Sequence, residues 1–333
     1  MVDRRRRRHA QGEHPMKMRR ILSLDGGGIR GLVSCVWLQG VEEALRQAGK
    51  PGLLRRFDLL AGSSTGALVA CGLAIGRGPA ELAELYRRQR HEIFPGMAER
   101  LWSRAGRLFT QGPSAPRYDG KGLEKVLKKA FGNATLGEAK KPLLITSYDT
   151  VSRTPVVFKS FKPEHAGLPM WEVCRASVAA PTYFPAHGMT VEGRKCSLID
   201  GGIVANNPTA CAIAEAMRKD RRVDNVHDLL VLSVGTGERN RPIALKSARE
   251  WGALEWAVPI IDVLFDGNTD SVDYIARHIV GDGYFRMQAE LMPGLDDLDD
   301  VSETNLAGLE SMAAHYLARA QTRQMLERLT ARL

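Results

Sequence analysis

The 333-residue sequence predicts an α/β fold of three layers, in which helices cover both faces of a mostly parallel central sheet. Short apolar runs alternate with longer helical patterns, and such strand–helix alternation is typical of parallel sheets. The composition, 44% hydrophobic and 26% charged, is that of a soluble globular protein large enough to bury a sizeable core. We expect a disordered arm at residues 1–17 and a single domain over residues 18–333.

Each element is predicted from its own local pattern. Strands are expected where short apolar runs occur, at residues 21–24, 57–60, 143–147, 156–158, 197–199 and 229–234. Helices are expected over longer patterns, at residues 29–48, 65–75, 208–217 and 304–333.

The positive charge is concentrated at the start of the chain. Residues 1–20 carry eight Lys or Arg and two acidic residues, so they hold six of the nine net positive charges. The run from Arg4 to Arg8 repels itself and predicts a solvated tail that could touch anionic lipid or nucleic acid. A dispensable start, with translation beginning at Met16 or Met18, explains it equally well. The rest of the chain is only mildly basic, and we expect no DNA or RNA partner.

The sequence indicates a cytoplasmic protein. No apolar run approaches the ~18–20 residues of a membrane span, and the arm lacks the apolar stretch of a secretory signal. The five scattered cysteines have no CxxC spacing, which favours reduced thiols and argues against a zinc site. We therefore expect no metal and no other cofactor, and only peripheral contact with the inner membrane.

One segment, residues 95–118, interleaves basic and aromatic side chains. Trp102 and Phe109 alternate there with Arg104 and Arg107. Such a mixture suits a lid or an interfacial element that rests on a membrane. An ordinary surface insertion with one buried face is the alternative.

The pentapeptide GSSTG matches the G-x-S-x-G pattern of a nucleophile elbow. In such an elbow a serine sits on a strained strand-to-helix turn, and small flanking residues allow close approach of backbone segments. The pattern alone is weak, but here a predicted strand precedes it and a predicted helix follows. We predict that Ser64 is a nucleophile flanked by Gly62 and Gly66, near the positive end of the helix dipole.

The heptapeptide DGGGIRG follows the first predicted strand and opens a helix. The spacing of Gly26, Gly28 and Gly31 fits a dinucleotide-binding fingerprint, which would indicate an oxidoreductase. That fingerprint needs an acidic residue about 20 positions on, after the next strand, where this sequence has the serine motif. The alternative is an oxyanion hole, in which the N–H groups of Gly26, Gly27 and Gly28 bind an acyl carbonyl oxygen. Arg30 would assist the oxyanion, anchor the loop or meet an anionic head group.

A third motif, DGG, follows the predicted strand at residues 197–199. It consists of Asp200 and two loop glycines, Gly201 and Gly202. Asp-Gly is also a common turn, so this tripeptide by itself does not indicate chemistry. The helix that follows is expected to have Asn207 as its N-cap and Pro208 as its first residue.

The choice of base for Ser64 depends on the histidines. Of eight, only His187, after a Phe-Pro-Ala sequence, has a distinctive loop setting. A carboxylate can deprotonate serine directly when partial burial tunes its pKa. We predict a Ser64–Asp200 dyad, with a triad through His187 or His227 as the alternative.

In this order, DGGGIRG, GSSTG and DGG resemble the three signatures of patatin-like phospholipases. RASVAAPTYF at residues 175–184 resembles the family's stretch before the aspartate strand, and SVGTG at residues 233–237 resembles its next strand and turn. Further similarity to plant and bacterial patatins lies at residues 270–274, 284–288 and 304–306. The resemblance covers about residues 18–330, but residues 95–118 match no family pattern.

The resemblance implies a patatin-like variant of the α/β-hydrolase fold. It also implies calcium-independent hydrolysis of acyl esters in phospholipids or galactolipids, through a Ser-Asp dyad and an acyl-enzyme. Bacterial relatives of this compact layout include anti-phage effectors of the CBASS type, which a cyclic dinucleotide activates to degrade the cell's own membrane. The expected partners are therefore membrane phospholipids, a cyclic dinucleotide and further copies in a homo-oligomer. A non-catalytic membrane- or nucleotide-binding module that retains the fold is a further alternative.

Overall fold

The computed structural model describes residues 19–95, 116–220, 223–238, 242–257, 259–295 and 297–333. The predicted arm at residues 1–17, and most of the predicted lid or insertion at residues 95–118, lie outside the described residues. The strands are β1 (Arg20–Leu24), β2 (Leu59–Ser63), β3 (Leu143–Asp149), β4 (Thr154–Lys159), β5 (His187–Val191), β6 (Arg194–Asp200), β7 (Leu230–Val234) and β8 (Tyr284–Met287).

The helices surround these strands in sequence. They are α1 (Gly31–Gln47), α2 (Leu53–Arg56), α3 (Thr65–Ala74), α4 (Pro79–Ile93), α5 (Lys121–Phe131), α6 (Pro163–Ala166), α7 (Met170–Ser177), α8 (Gly202–Ala205), α9 (Thr209–Lys219), α10 (Leu245–Glu250), α11 (Ala253–Trp256), α12 (Pro259–Val280), α13 (Glu303–Ala318) and α14 (Ala320–Arg332). Among the helices described, none combines the length and apolarity needed to span a bilayer.

In the described residues, eight strands form one mixed sheet. Its pairing series is β5-β6-β3-β2-β1-β7-β8, with β4 also paired to β3. The pairs among β3, β2, β1, β7 and β8 are parallel, whereas β4, β5 and β6 are joined by antiparallel pairs. The sheet thus has a parallel centre, where strand carboxyl ends meet at one edge, and an antiparallel flank.

Two strand ends meet head to head along one edge of β3. β2 pairs in parallel with residues 143–146 of β3, and β6 pairs antiparallel with residues 147–149. β4 pairs with residues 144–149 and so fills the other edge, which leaves β2 and β6 on a shared edge. The carboxyl ends of β2 and β6 therefore face each other, so that the chain after Ser63 emerges beside Asp200.

Helices cover both faces of the sheet. Successive side chains of a strand point to opposite faces, and in β1 Leu22 and Leu24 join the larger core cluster while Ile21 joins the smaller one. The larger cluster packs against α1, α3, α4, α5, α7, α13 and α14. The smaller cluster packs against α9 and the end of α12. This arrangement gives three layers, with the sheet in the middle.

The predicted fold class is confirmed, and the differences are local. β5 and β8 were not predicted, and the predicted final helix is divided at Arg319, whose ψ of 140° is extended. α9 begins at Thr209 and its N-cap is Pro208, so the predicted N-cap, Asn207, lies one residue before the cap position. Asn207 Oδ1 accepts the Thr209 N–H at 3.1 Å in the turn that leads into the helix.

Candidate active site

Ser64 lies on the turn between β2 and α3 with φ 49° and ψ −122°. A non-glycine residue adopts a positive φ only at some cost in strain. The flanking glycines allow the turn to close, because a Cβ on Gly62 would lie 2.4 Å from the Gly66 carbonyl oxygen and one on Gly66 would lie 2.1 Å from the Leu24 carbonyl oxygen. The turn places Ser64 beyond the end of β2, where it is only 6% exposed.

The side chains of Ser64 and Asp200 are in direct contact. Ser64 Oγ donates a hydrogen bond of 2.7 Å to Asp200 Oδ2. The other carboxylate oxygen, Oδ1, accepts the Gly202 N–H at 2.7 Å, and Asp200 is fully buried. The contact follows from the head-to-head placement of β2 and β6, which brings together two residues distant in sequence.

The surroundings of Asp200 favour its neutral form. Burial raises the pKa of the Asp200 carboxyl to about 7, while hydrogen bonds from the Gly202 N–H and the Ser64 hydroxyl act in the lowering direction. A general base is most effective when its pKa lies close to the working pH. Asp200 is therefore suited to accept the Ser64 proton near neutral pH.

No histidine takes the place of Asp200 within the described residues. His187 begins β5 opposite Leu198, and burial lowers its pKa to about 4. His227 Nδ1 lies 3.3 Å from the Val280 carbonyl oxygen. The only side chain to which Ser64 Oγ is hydrogen-bonded in the described part of the chain is Asp200. This geometry favours a dyad over the histidine triad.

The glycine loop after β1 lies beside Ser64. A Cβ on Gly26 would be 3.0 Å from Ser64 Cβ. The Gly26 N–H already donates to the Asn206 carbonyl oxygen at 3.1 Å, whereas the N–H groups of Gly27 and Gly28 have no acceptor in the described ranges. Gly28, with φ 60°, lines the same cavity as Ser64. We therefore narrow the predicted oxyanion hole from three glycines to Gly27 and Gly28.

Arg30 ties the glycine loop to the loop after β7. Its Nε donates to the Gly27 carbonyl oxygen and its Nη1 to the Gly237 carbonyl oxygen, both at 3.3 Å, and the residue is buried. Thr236 Oγ1 donates to the Gly26 carbonyl oxygen at 2.9 Å and strengthens the same connection. Of the roles considered for Arg30, these contacts support the anchor. Oxyanion binding and contact with a head group have no support, because the guanidinium faces backbone carbonyl groups.

A buried ion pair holds the start of this loop. Arg286 Nη2 lies 2.6 Å from Asp25 Oδ2, and Arg286 Nη1 also donates to Ser233 Oγ at 2.8 Å. Burial raises the pKa of Asp25 to about 6, although the neighbouring guanidinium acts to lower it. No local sequence pattern indicates this ion pair, because Asp25 and Arg286 are far apart in the chain and Arg286 lies on the unpredicted strand β8.

Ser64 and Asp200 line a cavity with about 60 Å³ of internal space, which opens to solvent. Most of its lining is aliphatic or aromatic, with contributions from Leu68, Tyr86, Ile93, Phe94, Leu123, Val178, Phe184, Phe265 and Leu298. Pockets that bind small molecules are typically apolar with a few placed polar groups. An apolar chamber with a hydroxyl and a carboxyl at its base suits a fatty-acyl chain whose carbonyl group reaches Ser64.

The remaining predicted glycines also lie where backbone and side chains approach closely. A Cβ added to Gly31 would lie 2.4 Å from Thr65 Oγ1. One added to Gly201 would lie 2.3 Å from the Thr146 carbonyl oxygen, and one added to Gly202 would lie 2.9 Å from the Phe265 ring. Phe265 and Leu298 were not predicted as site residues. Both reach the cavity from segments distant in sequence, and no local pattern indicates this.

Comparison with known proteins identifies a family that this chain resembles. The family model for patatin-like phospholipases matches residues 22–213, which is more than half of the chain. Patatin-like protein 2 of Oryza sativa subsp. indica is 29% identical over 353 residues, covering 94% of this chain and 87% of that protein. An Arabidopsis thaliana protein named probable inactive patatin-like protein 9 is 33% identical over 275 residues, covering 76% of this chain and 70% of that protein. The crystal structure of VipD from Legionella pneumophila aligns with a TM-score of 0.42 at 16% identity, covering 91% of this chain and 68% of that chain.

The matched family makes this chain an ester hydrolase. More narrowly, it belongs to the patatin-like phospholipase family and is a lipid acyl hydrolase. The oxidoreductase alternative is wrong, because the family match shows a lipid acyl hydrolase. Gly27 and Gly28 instead lie where a side chain would not fit, since a Cβ would be 2.1 Å from Thr236 Oγ1 and 2.2 Å from the Leu298 carbonyl oxygen.

Proposed function

We propose that the chain is a phospholipase A that cleaves fatty-acyl esters of membrane phospholipids, with Ser64 as nucleophile and Asp200 as general base. The observation that carries the proposal is the 2.7 Å hydrogen bond from Ser64 Oγ to Asp200 Oδ2 at the base of the apolar cavity. A serine hydroxyl is a weak nucleophile until an adjacent base accepts its proton. The cavity would hold the acyl chain and exclude water from its carbonyl group.

In the first half of the reaction, Asp200 takes the Ser64 proton while Ser64 Oγ bonds to the ester carbonyl carbon. The carbonyl oxygen becomes an oxyanion that the N–H groups of Gly27 and Gly28 stabilise, and each such donor is typically worth ~3–4 kcal/mol in the transition state. The carbon–oxygen bond to the lysolipid then breaks. Asp200 returns the proton to the leaving alcohol oxygen, which leaves an acyl-enzyme on Ser64.

In the second half, a water molecule replaces the lysolipid alcohol. Asp200 takes a proton from the water as its oxygen attacks the acyl carbonyl carbon. The Gly27 and Gly28 N–H groups stabilise the second oxyanion as they did the first. The bond to Ser64 Oγ breaks, Asp200 returns the proton to Ser64, and the fatty acid leaves.

An exposed apolar surface supports peripheral contact with a membrane. Nine of the eleven large hydrophobic side chains that are exposed in the described residues lie between Leu245 and Met292. We call these nine the apolar surface: Leu245, Leu254, Ile260, Val263, Leu264, Tyr274, Ile275, Ile279 and Met292. Six of them lie on α12, and Phe265 of the same helix turns inward and lines the cavity. α12 thus carries six residues of the apolar surface and one residue of the cavity, which would suit an enzyme that draws its substrate from a bilayer.

The charges around the apolar surface point to zwitterionic lipid. The described residues from 242 to 280 contain three cationic and six acidic side chains: Lys246, Arg249 and Arg277, and Glu250, Glu255, Asp262, Asp266, Asp270 and Asp273. An excess of acidic side chains does not attract an anionic leaflet. Binding would instead come from burial of apolar area in the interface.

The test uses phosphatidylcholine vesicles in the presence of a calcium chelator. We expect the wild-type protein, assayed alone and with a panel of cyclic dinucleotides, to release fatty acid in at least one condition and Ser64→Ala to remain at background in all of them. A fluorophosphonate probe should label the wild-type protein at Ser64 and leave the variant unlabelled. A wild-type protein that neither releases fatty acid nor reacts with the probe would overturn the proposal and favour the non-catalytic module.

Activation by a cyclic dinucleotide in anti-phage defence stays a prediction that rests on the sequence resemblance. The same vesicle assay tests it when a panel of cyclic dinucleotides is added, and full activity without any nucleotide would contradict it. Homo-oligomer formation and a cytoplasmic location at the inner membrane also stay predictions, which light scattering and cell fractionation would check.

A further inference from the structure

The end of α7 is hydrogen-bonded to the loops of both Ser64 and Asp200. Ser177 is the last residue of α7 and is fully buried. Its Oγ accepts the Ser64 N–H at 2.9 Å, and its carbonyl oxygen accepts the Gly201 N–H at 3.1 Å. Two residues further on, the Ala179 carbonyl oxygen accepts the Asp200 N–H at 3.0 Å. One short segment thus connects the two halves of the dyad.

The Ser64 N–H needs this side-chain acceptor. β2 ends at Ser63 and α3 begins at Thr65, so Ser64 belongs to neither element. A buried N–H without an acceptor is costly, because it has lost its hydrogen bonds to water. A positive φ at a non-glycine residue also persists only where the surroundings impose it. The bond to Ser177 Oγ both satisfies the N–H and fixes the direction of the strained residue.

We propose that Ser177 is a positioning residue, which holds the Ser64 backbone in the conformation that directs Ser64 Oγ to Asp200 Oδ2. The inference rests on the proposed function, since its effect on rate requires Ser64 to be the nucleophile. Ser177 acts through the backbone of Ser64 and takes no part in proton transfer. Its loss therefore affects the rate of reaction at Ser64 more than the binding of substrate.

Ser147 offers a matched control. It is also fully buried, and its Oγ donates to the Ile199 carbonyl oxygen at 2.7 Å and to the Ala176 carbonyl oxygen at 3.4 Å. These contacts join the same two segments, the end of β6 and the end of α7, without touching Ser64. Ser147→Ala therefore removes one buried hydroxyl from the same region and leaves the Ser64 N–H with its acceptor.

The experiment compares Ser177→Ala, Ser147→Ala and Ser177→Thr with the wild-type protein. On a soluble p-nitrophenyl ester we expect Ser177→Ala to lower kcat by roughly 10–100-fold with KM within about twofold, since small misplacements of a reacting group have effects of this size. Fluorophosphonate labelling of Ser64 should slow by a similar factor. Amide hydrogen exchange of the peptide containing Ser64 should quicken in Ser177→Ala alone. Ser177→Thr keeps the hydroxyl oxygen and should recover most of the rate.

Two results would overturn the inference. The first is that Ser177→Ala leaves unchanged both the rate of fluorophosphonate labelling of Ser64 and the amide hydrogen exchange of the peptide containing Ser64. The second is an equal loss of kcat in Ser147→Ala, which would mean that general loosening of the region is responsible. If the wild-type protein is inactive both with and without cyclic dinucleotides, the proposed function fails, and hydrogen exchange at Ser64 still decides whether Ser177 holds its backbone.

Discussion

The interior of the active site and the apolar surface both depart from the rule that apolar side chains are buried and polar side chains are exposed. In the interior of the active site, the polar residues Ser64, Ser177 and Asp200 are no more than 6% exposed. On the apolar surface, Leu254 is 88% exposed and Tyr274 is 65% exposed. Buried polar groups and exposed apolar patches are the departures that carry information, because most side chains follow the opposite rule.

The two regions depart from the rule for different reasons. In our proposal, the interior of the active site must keep water away from Ser64, whose reactivity depends on its neighbours. The apolar surface, in our proposal, must meet lipid so that substrate can reach the cavity. Natural proteins accept such departures at functional sites and compensate for them elsewhere. The two core clusters that cover the faces of the sheet follow the usual rule and bury apolar side chains.

The largest expected effect comes from replacing Asp200, the proposed general base. Asp200→Asn keeps the shape of the side chain but cannot accept the Ser64 proton, so kcat on a soluble ester should fall by about 10³–10⁴-fold. Asp149→Asn is the matched control, because Asp149 is a buried carboxylate that accepts the Ser197 and Val151 N–H groups outside the site. A rate for Asp200→Asn close to that of the control would contradict the dyad.

The pH dependence of kcat/KM should report the ionisation of the Asp200 carboxyl group. Only the ionised form of Asp200 can take a proton, and burial raises its pKa to about 7. We therefore expect kcat/KM to fall about tenfold per pH unit below that value and to level off above it. Initial rates between pH 5 and 9 on a soluble ester provide the measurement. A flat profile from pH 5 to 8 would show that another group is the base.

The apolar surface should matter for vesicles and not for soluble substrate. Leu254→Gln, Val263→Gln and Leu264→Gln, combined, remove three exposed apolar side chains and should weaken vesicle binding by about tenfold or more, which corresponds to about 1.4 kcal/mol. The control combines Val151→Gln and Met217→Gln, which are exposed apolar residues elsewhere on the protein. Vesicle sedimentation and ester hydrolysis are measured side by side. Equal vesicle binding by the two combined variants would remove this surface from the proposal.

The smallest expected effect is on stability, and replacing Asp200 should raise the Tm of the folded protein instead of lowering it. The folded pKa of Asp200, about 7, lies above its ordinary value of 3.8, so the folded protein holds a proton that the unfolded chain has released across this range. Stability contributed by this group is therefore lost as the pH rises from about 4 to 7. Asp200→Asn should raise Tm at pH 8 by about 2–4 °C and by less at pH 5. A lower Tm than the wild type at pH 8 would contradict the assignment of a buried charge.

Local patterns predicted the parts of the fold that depend on neighbouring residues. β1, β3 and α3 were predicted nearly to their ends, because their apolar or small-residue runs are continuous. β5 carries polar residues and β8 spans only four, so neither shows a strand pattern by itself. Both are strands because they pair with β6 and β7, and pairing between distant segments is not encoded locally.

The same distinction applies to the site. Ser64 could be predicted because strand, glycines and helix stand next to one another in the sequence. Asp200 needed the resemblance and the lack of a well-placed histidine, and the structure adds the 2.7 Å contact that supports its proposed role. Ser177, Phe265 and Arg286 reach the site from distant segments, and only tertiary packing brings them there.

The head-to-head meeting of β2 and β6 has a consequence for how the protein is made. A nascent chain that ends before β6 already contains Ser64, but it lacks both Asp200 and the strand that fills the rest of the β3 edge. If Ser64 and Asp200 act as we propose, ester hydrolysis cannot begin until the chain has passed residue 200 and β6 has paired with β3. A product truncated before β6 should therefore be inactive on lipid.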